Sequence, residues 1–522
     1  MEARDGSKLT TSGAPNRVVA IGLDGADPTI IETWMDQGQL PVLQSIRANG
    51  GWGQLEGIRD FFSGSVWPSF LTGASVANHG FYGFAQLGRQ SGQLELMDGS
   101  MLGIPPFYAR LSNPKKRVAV LDVAKMTPVR GVNGIQIAAW ASHSPASPPA
   151  SSPPELIDEV RHKYGEHPAS AIDEDANPDD RYYRRLLKAL HDGCQQRQSL
   201  YVELLRREQW DLFIAIFSEA HSAGHKLWQF VDPLHPDFDT RAPEDLKQGM
   251  LSVHQDLDRA LGALREASPP DTTFMVFSMH GMGLDYNDAP TQLLPEFMRR
   301  FCGIERSQNS ERASWRARLY EMARSVAPEW LRNAIKHRMS LMARSRMRLL
   351  QFIEMHDAPL WHKMRAFSLP SDEGGFIRIN LKGREPCGLV EAGDYDLVCE
   401  EIMERLHELR DPNLDCAAVN RVFRVHREHA GPFLDRLPDL VVEWSDRPLT
   451  ALWSPVYGHL GTMRIHRSGS HRPRGFLLAE GPGIAPGSAI RGRSIDIPAT
   501  ILARMGEPMQ PETAGQSLLP VR

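Results

Sequence analysis

Apolar positions along the chain fall into two kinds of run. Short, uninterrupted, β-branched segments lie at Arg17–Gly25 (RVVAIGLDG), Lys116–Asp122 (KRVAVLD), Trp210–Phe217 (WDLFIAIF) and Thr272–Phe277 (TTFMVF). Runs of this length predict strands buried on both faces. Later strands are predicted at Phe376–Asn380, Asp439–Trp444 and Gly475–Ala479. Between them, Asp180–Arg207 and Met250–Glu266 repeat apolar residues at helical spacing. Strands alternating with helices predict an α/β fold, with a mostly parallel central sheet covered by helices on both faces. Open sheets of this kind bind ligands at the carboxyl ends of their strands, which singles out Asp24 at the end of the first run.

Three segments break the pattern. Residues 1–16 (MEARDGSKLTTSGAPN) are polar and read as a disordered tail, without the apolar stretch of a secretory signal. Ser144–Pro154 (SPASPPASSPP) reads as a surface loop. Between Arg306 and Arg348, eleven bases face three acids. Trp315, Leu319, Met322, Trp330, Leu331, Met339 and Met342 supply apolar faces there at helical spacing. The expectation is a core domain over 17–300 and 365–522, interrupted by a basic helical insertion or cap over 301–364. Its 306–348 portion could face an anionic group or touch a membrane surface peripherally.

Composition narrows the function classes. The 522 residues are 41% hydrophobic and 24% charged, with a net charge of -5, so no polycation signal for a nucleic-acid polymer is present. No run reaches the roughly 18 apolar residues of a membrane-spanning helix. The five cysteines are scattered, with no CxxC pair. They point to a reducing cytoplasm and leave any metal to His, Asp or Glu.

Four further segments carry candidate chemistry. Ser63-Gly64-Ser65-Val66-Trp67-Pro68-Ser69-Phe70-Leu71-Thr72-Gly73 opens a helix with small hydroxyl residues and leads to Asn78-His79-Gly80. A helix start of that kind suits a phosphate or a plain serine cap. His221-Ser222-Ala223-Gly224-His225 follows a buried strand, and histidines four apart share one helical face. Ser278-Met279-His280-Gly281-Met282 ends another strand, and Ser468-Gly469-Ser470-His471-Arg472-Pro473 precedes the strand at Gly475.

In this order the segments resemble the alkaline phosphatase superfamily, in its type I phosphodiesterase/nucleotide pyrophosphatase branch. VVAIGLDGAD matches a first strand ending in a metal-binding Asp, and SGSVWPSFLTG followed by NHGFYGF matches the nucleophile segment. HSAGH stands for the family's DxxGH and SMHGM for its SDHGM, while His471 matches the last ligand. IDIPATILARMGEP resembles the family's ending. The resemblance runs from about Arg17 to Leu519 and implies an alkaline phosphatase-like fold. It implies Ser63 as nucleophile, with Ser65 second because a small shift before Pro68 would present it instead. The ligands it implies are Asp24, Ser63 and His280 for one divalent ion and His221, His225 and His471 for another. Lys125, Trp140 and His143 are the substrate-side candidates.

Two departures matter. His221 and Met279 replace carboxylates of the family pattern, so the matched positions keep only Asp24 as an acid. A three-histidine shell remains acceptable for zinc, whereas a thioether suits a hard-oxygen site poorly. Glu219 and Asp27 are the nearest replacement ligands by sequence. One or two ions, zinc first and manganese or magnesium next, are therefore expected. The implied activity is hydrolysis of a small-molecule phosphodiester or pyrophosphate through a phospho-serine. The alternatives are a phosphomonoesterase, a sulfatase-like hydrolase of the same superfamily, and a degenerate member that binds an anion or partner without turnover.

Overall fold

The computed structural model describes residues 16–62, 64–88, 91–141, 147–171, 178–286, 288–305, 341–463 and 467–520. Among these, the principal sheet has nine strands. Their order is Ser488–Ala489, Gly51–Glu56, Arg474–Glu480, Thr273–Ser278, Val18–Leu23, Leu212–Phe217, Val118–Leu121, Gly134–Ala138 and Ala150–Ser152. The five strands from Thr273–Ser278 to Gly134–Ala138 run parallel. Arg474–Glu480 runs against both of its neighbours. That reversal matters for function, because it brings the residues preceding Arg474 to the edge where the parallel strands end.

Alternation along the first strand separates two cores. Val19, Ile21 and Leu23 pack with the helices Pro28–Asp36, Asp180–Arg207 and Gly249–Ala267. Val18 and Ala20 point the other way, toward Val66–Thr72 and Asp496–Arg504. All six residues of Val18–Leu23 and of Leu212–Phe217 are buried, as a strand covered by helices on both faces requires. The fold is thus the mostly parallel, helix-covered α/β arrangement that the sequence pattern predicts.

The strands expected near Phe376 and Asp439 form, but outside the principal sheet. Gly375–Ile379 and Leu440–Trp444 join Ala366–Leu369 and Val419–Arg424 in a four-stranded antiparallel sheet with its own apolar core. The turn between Ala366–Leu369 and Gly375–Ile379 carries Asp372 and Glu373 toward the carboxyl edge of the principal sheet. Part of the proline-rich segment, Ala150–Ser152, is an edge strand rather than loop. Of the basic segment, residues 306–340 lie outside the described residues, and the helix Leu341–Met355 follows them. No helix among the described residues is long and apolar enough to cross a membrane.

Candidate active site

Asp24 follows the first strand directly, and Gly25 lets the chain turn there. Gly25 sits at φ +69°, and a Cβ on it would lie 2.9 Å from the Cα of His221. The Asp-Gly pair therefore fixes how closely the Glu219–Leu227 helix approaches Asp24. That helix presents His221 and His225 on one face, one turn apart. Its Gly224 abuts Met282, where a Cβ would meet Met282 Cγ at 2.7 Å. Met282 lies in the strand Gly281–Leu284, which pairs with Gly469–Arg472 and places His471 opposite Met282. Four strand ends thus deliver Asp24, His221, His225, His280 and His471 to one place.

The distances confirm the convergence. His280 Nε2 lies 3.1 Å from Asp24 Oδ1, which also accepts a 3.1 Å hydrogen bond from Trp67 Nε1. His221 Nε2 lies 2.9 Å from His471 Nε2 and 3.3 Å from His225 Nε2. The rings of His280 and His471 are 4.7 Å apart. His225 donates its Nδ1 hydrogen to the Gly469 carbonyl at 2.7 Å, and the Nδ1 of His471 points at Glu373 Oε1. Both rings therefore turn an Nε2 lone pair inward.

Electrostatics keep those lone pairs available. Burial pulls the His225 and His471 imidazoles well below their ordinary range, and the neighbouring imidazoles add to it. Burial also lowers His221, against the pull of Asp24. Asp24 is the reverse case. Burial alone would raise its carboxyl, but His221, His280 and His471 hold it well below the usual carboxylate range. Burial opposes charge on His280 too, but the Asp24 bond outweighs it and raises that imidazole.

Neutral imidazoles aiming lone pairs at one another repel, and a cation between them removes the repulsion. Ligand atoms of His221, His225 and His471 all lie within 4.8 Å of one another. Around a tetrahedral ion with bonds of about 2.0–2.1 Å, ligand nitrogens sit about 3.3 Å apart. The spacings of 2.9 and 3.3 Å from His221 Nε2 lie at or slightly below that value, so this donor set fits a divalent metal ion. Asp24 and His280 stand beside it as an oxygen and nitrogen pair.

Other candidate residues divide clearly. Ser63 and His143 lie outside the described residues. Ser65 is fully buried ahead of the Val66–Thr72 helix, and its hydroxyl has no hydrogen-bond partner among the described residues. Lys125 lines the same cavity as Asp24, His221, His225, His280 and His471. It donates to the Gly64 carbonyl at 2.8 Å and lies 4.2 Å from the centre of the Phe84 ring. Burial pushes its ammonium down to about 8, against the pull of Asp372, Asp24 and Glu373. Trp140 does not line the cavity; its indole is buried and donates to the Gly165 carbonyl.

The structure does not bring the expected replacement carboxylates into the imidazole cluster. Glu219 Oε1 is held by Arg197 Nε and His167 Nε2, each at 2.9 Å. Asp27 caps the Pro28–Asp36 helix through the amides of Thr29 and Ile30. Met279 is fully buried in the apolar core shared with Phe70 and Phe277. The acid that does reach the cluster is Glu373, which accepts from Ser470 Oγ at 3.0 Å and from the His471 amide at 3.2 Å. It holds the outer nitrogen of His471 and so orients the ring rather than facing the ion position. Its only sequence signal is an Asp-Glu pair before Gly374, 98 residues from His471.

Comparison with known proteins follows the same lines. The family described as type I phosphodiesterase / nucleotide pyrophosphatase matches residues 18–296, more than half of the chain. No curated protein matches the sequence. Among solved structures, phosphonoacetate hydrolase from Sinorhizobium meliloti 1021, in complex with phosphonoformate, is 15% identical with a TM-score of 0.53. That match covers 94% of this chain and 96% of the hydrolase. Murine ectonucleotide pyrophosphatase / phosphodiesterase 5, as an inactive form in complex with AMP, is 10% identical with a TM-score of 0.50, over 95% of this chain and 96% of its own. At these identities the likeness is one of fold.

Proposed function

From the premise that this chain belongs to the type I phosphodiesterase/nucleotide pyrophosphatase family and is a hydrolase of phosphoric ester bonds, we propose that it cleaves a small-molecule phosphodiester or pyrophosphate through Ser63, with a divalent ion held by His221, His225 and His471. The observation that carries this reading is the trio of imidazole nitrogens within 4.8 Å of one another, next to the Asp24–His280 pair. Zinc is the first candidate for that ion, since it favours a three-histidine shell with one open position. A second ion would take Asp24, His280 and the Ser63 hydroxyl.

Bound there, a divalent ion supplies positive charge to phosphoryl oxygens and lowers the pKa of a hydroxyl it touches. The chain's own groups do the rest. Asp24 is held ionised by the surrounding imidazoles and offers a fixed negative oxygen at the sheet edge. Lys125 anchors the Gly64 carbonyl and so the loop beside Ser63, while its ammonium faces the cavity. The Ser63 oxygen attacks phosphorus in line, the leaving-group bond breaks, and a phospho-serine forms. Water then attacks the same phosphorus and releases Ser63. Positioning and charge supply most of the rate in such a reaction.

The test is metal analysis of the purified protein together with turnover of bis(p-nitrophenyl) phosphate under zinc, manganese and magnesium. Turnover should fall by at least about 10³-fold in Ser63→Ala, as removal of an activated nucleophile implies. Undiminished turnover in Ser63→Ala would move the role to Ser65, whose buried hydroxyl lacks a partner among the described residues. No turnover under any of the three metals would reject the diesterase reading.

A further inference from the structure

A buried arginine that the proposed chemistry does not use grips the helix bearing His221 and His225 from behind. Arg197 projects from the mostly apolar inner face of Asp180–Arg207 and is fully buried. Its guanidinium reaches the carboxyl ends of three strands. Nη2 donates to the Ala141 carbonyl, past Gly134–Ala138, and to Ser218 Oγ, past Leu212–Phe217, each at 2.6 Å. Nη1 donates to the Ile216 carbonyl and stands 3.5 Å from Asp122 Oδ2, past Val118–Leu121. Nε lies 2.9 Å from an oxygen of Glu219, the first residue of the helix Glu219–Leu227. Burying such a charge is costly, and apolar side chains of similar volume often serve stability as well, so stability alone gives little reason for an arginine here. Two features tie it to the metal centre. Ser218 holds the N-cap position of Glu219–Leu227, yet its hydroxyl makes no cap hydrogen bond; it accepts from Arg197 and donates to the Ala141 carbonyl at 3.0 Å. Glu219 precedes His221 by two positions, about 200° around a helix of 3.6 residues per turn, so the ion pair holds the side opposite that imidazole. A turn of about 10° would carry an atom about 5–6 Å from the helix axis through about 1 Å, whereas metal–ligand distances hold to about 0.2 Å.

Resting on the three-histidine metal reading above, and deepening it, we propose that Arg197 is a positioning residue for the metal centre: through Ser218 and Glu219 it fixes the rotation of Glu219–Leu227 and so the aim of His221 and His225. Arginine suits this task, since its rigid, planar fork of donors can meet several acceptors at once. The same guanidinium faces Asp122, which accepts the Trp140 and Ala141 amides at 2.9 and 3.0 Å and opens the turn that leads to Lys125. Asp122 and Lys125 both hold left-handed backbone, at φ +57° and +63°, which surrounding contacts must keep in place. One side chain thus steadies both the metal-holding helix and the turn that brings Lys125 to the cavity.

The test compares the full chain with Arg197→Met, Arg197→Lys and Ser218→Ala. Competition with a chromophoric chelator reads zinc affinity, and visible absorption of the cobalt(II)-loaded protein reads the geometry around the ion. Far-UV circular dichroism establishes that each metal-free variant is folded. Charge alone predicts tighter zinc binding in Arg197→Met, because a cation is removed from behind the site. Positioning predicts the opposite sign: zinc affinity at least about fivefold weaker than wild type, a shifted cobalt band, and partial recovery in Arg197→Lys. Ser218→Ala alters no charge and removes no cap bond; it should weaken zinc binding at least about threefold, also with a shifted band, and it decides the matter if Arg197→Met does not fold. A smaller loss, or an unshifted cobalt band, in the deciding variant overturns the proposal. Failure of the metal reading has a different signature, since the wild-type protein would then bind neither zinc nor cobalt.

Discussion

Glu373 provides the sharpest test of how the imidazole cluster is built. Its Oε1 receives three buried donors: Ser470 Oγ, the His471 amide and the His471 Nδ1 hydrogen. The last of these fixes the tautomer that turns the His471 Nε2 lone pair toward His221, 2.9 Å away. Glu373→Gln keeps the size and one acceptor oxygen but removes the negative charge behind the ring. Losing an outer carboxylate of this type lowers metal affinity about 10–100-fold, equivalent to about 1.4–2.7 kcal/mol. Glu373→Ala goes further and leaves three donors without an acceptor. At about 1 kcal/mol per lost bond, that adds roughly 3 kcal/mol of destabilisation to the metal-free fold. Competition against a chromophoric chelator measures the first effect, and urea denaturation of the metal-free protein measures the second. A zinc affinity in Glu373→Gln within twofold of wild type would refute the reasoning, because His471 would then need no partner to hold its orientation.

Three further perturbations separate the layers of the site. Gly25→Ala forces a Cβ to within 2.9 Å of the His221 backbone at a φ of +69°; a loss of about 1–2 kcal/mol and a weaker metal site should appear together in thermal melts with and without zinc. Arg197→Met leaves Asp122 and Glu219 buried without their cation, since Arg197 is fully buried 2.9 Å from Glu219 and 3.5 Å from Asp122. About 3–5 kcal/mol of stability should be lost in denaturant titrations, and a loss under 1 kcal/mol would contradict that role. For Lys125 the sign is fixed by burial, which lowers its folded pKa to about 8 from an ordinary 10.5. The folded chain therefore releases this proton before the unfolded chain does, so its contribution to stability rises between about pH 8 and 10.5. Its charge, however, is lost from the cavity over the same window. An alkaline fall in kcat/KM beginning near pH 8, absent in Lys125→Met, is the expected profile.

Much of this was legible in sequence because the fold places its chemistry where continuous apolar runs stop. VVAIGL, LFIAIF and TFMVFS are buried throughout, and each ends one to eight residues before a site residue. Strand burial and site position are therefore one signal. Less visible were Gly51–Glu56 and Gly134–Ala138, which lack a long apolar run. Gly53, for example, lies so close to the Ile490 carbonyl that a Cβ would sit 1.8 Å from it. Tertiary packing alone makes that segment a strand. The separate sheet of Gly375–Ile379 and Leu440–Trp444 was also hidden, because apolar runs predict a strand without naming its partners.

The two carboxylates missing from the family pattern show why ligand replacement is hard to read along a chain. Glu219 and Asp27 are near in sequence to the matched residues, but each answers a local demand: Glu219 neutralises buried Arg197, and Asp27 caps a helix. Glu373 reaches His471 only because a hairpin from the second sheet folds over the carboxyl edge of the first. Its contact with the outer nitrogen does not restore a lost ligand; it orients and strengthens an imidazole of the proposed metal shell. The substitution at His221 then makes physical sense. With a carboxylate behind His471 and an aspartate beside His280, a neutral third imidazole completes a nitrogen shell without adding a third buried acid. Met279, in turn, continues the apolar core of Phe70 and Phe277 up to the edge of the site. The oxygen pole of the centre is thereby concentrated on Asp24, and for that reason Asp24 should be the least replaceable of the described residues.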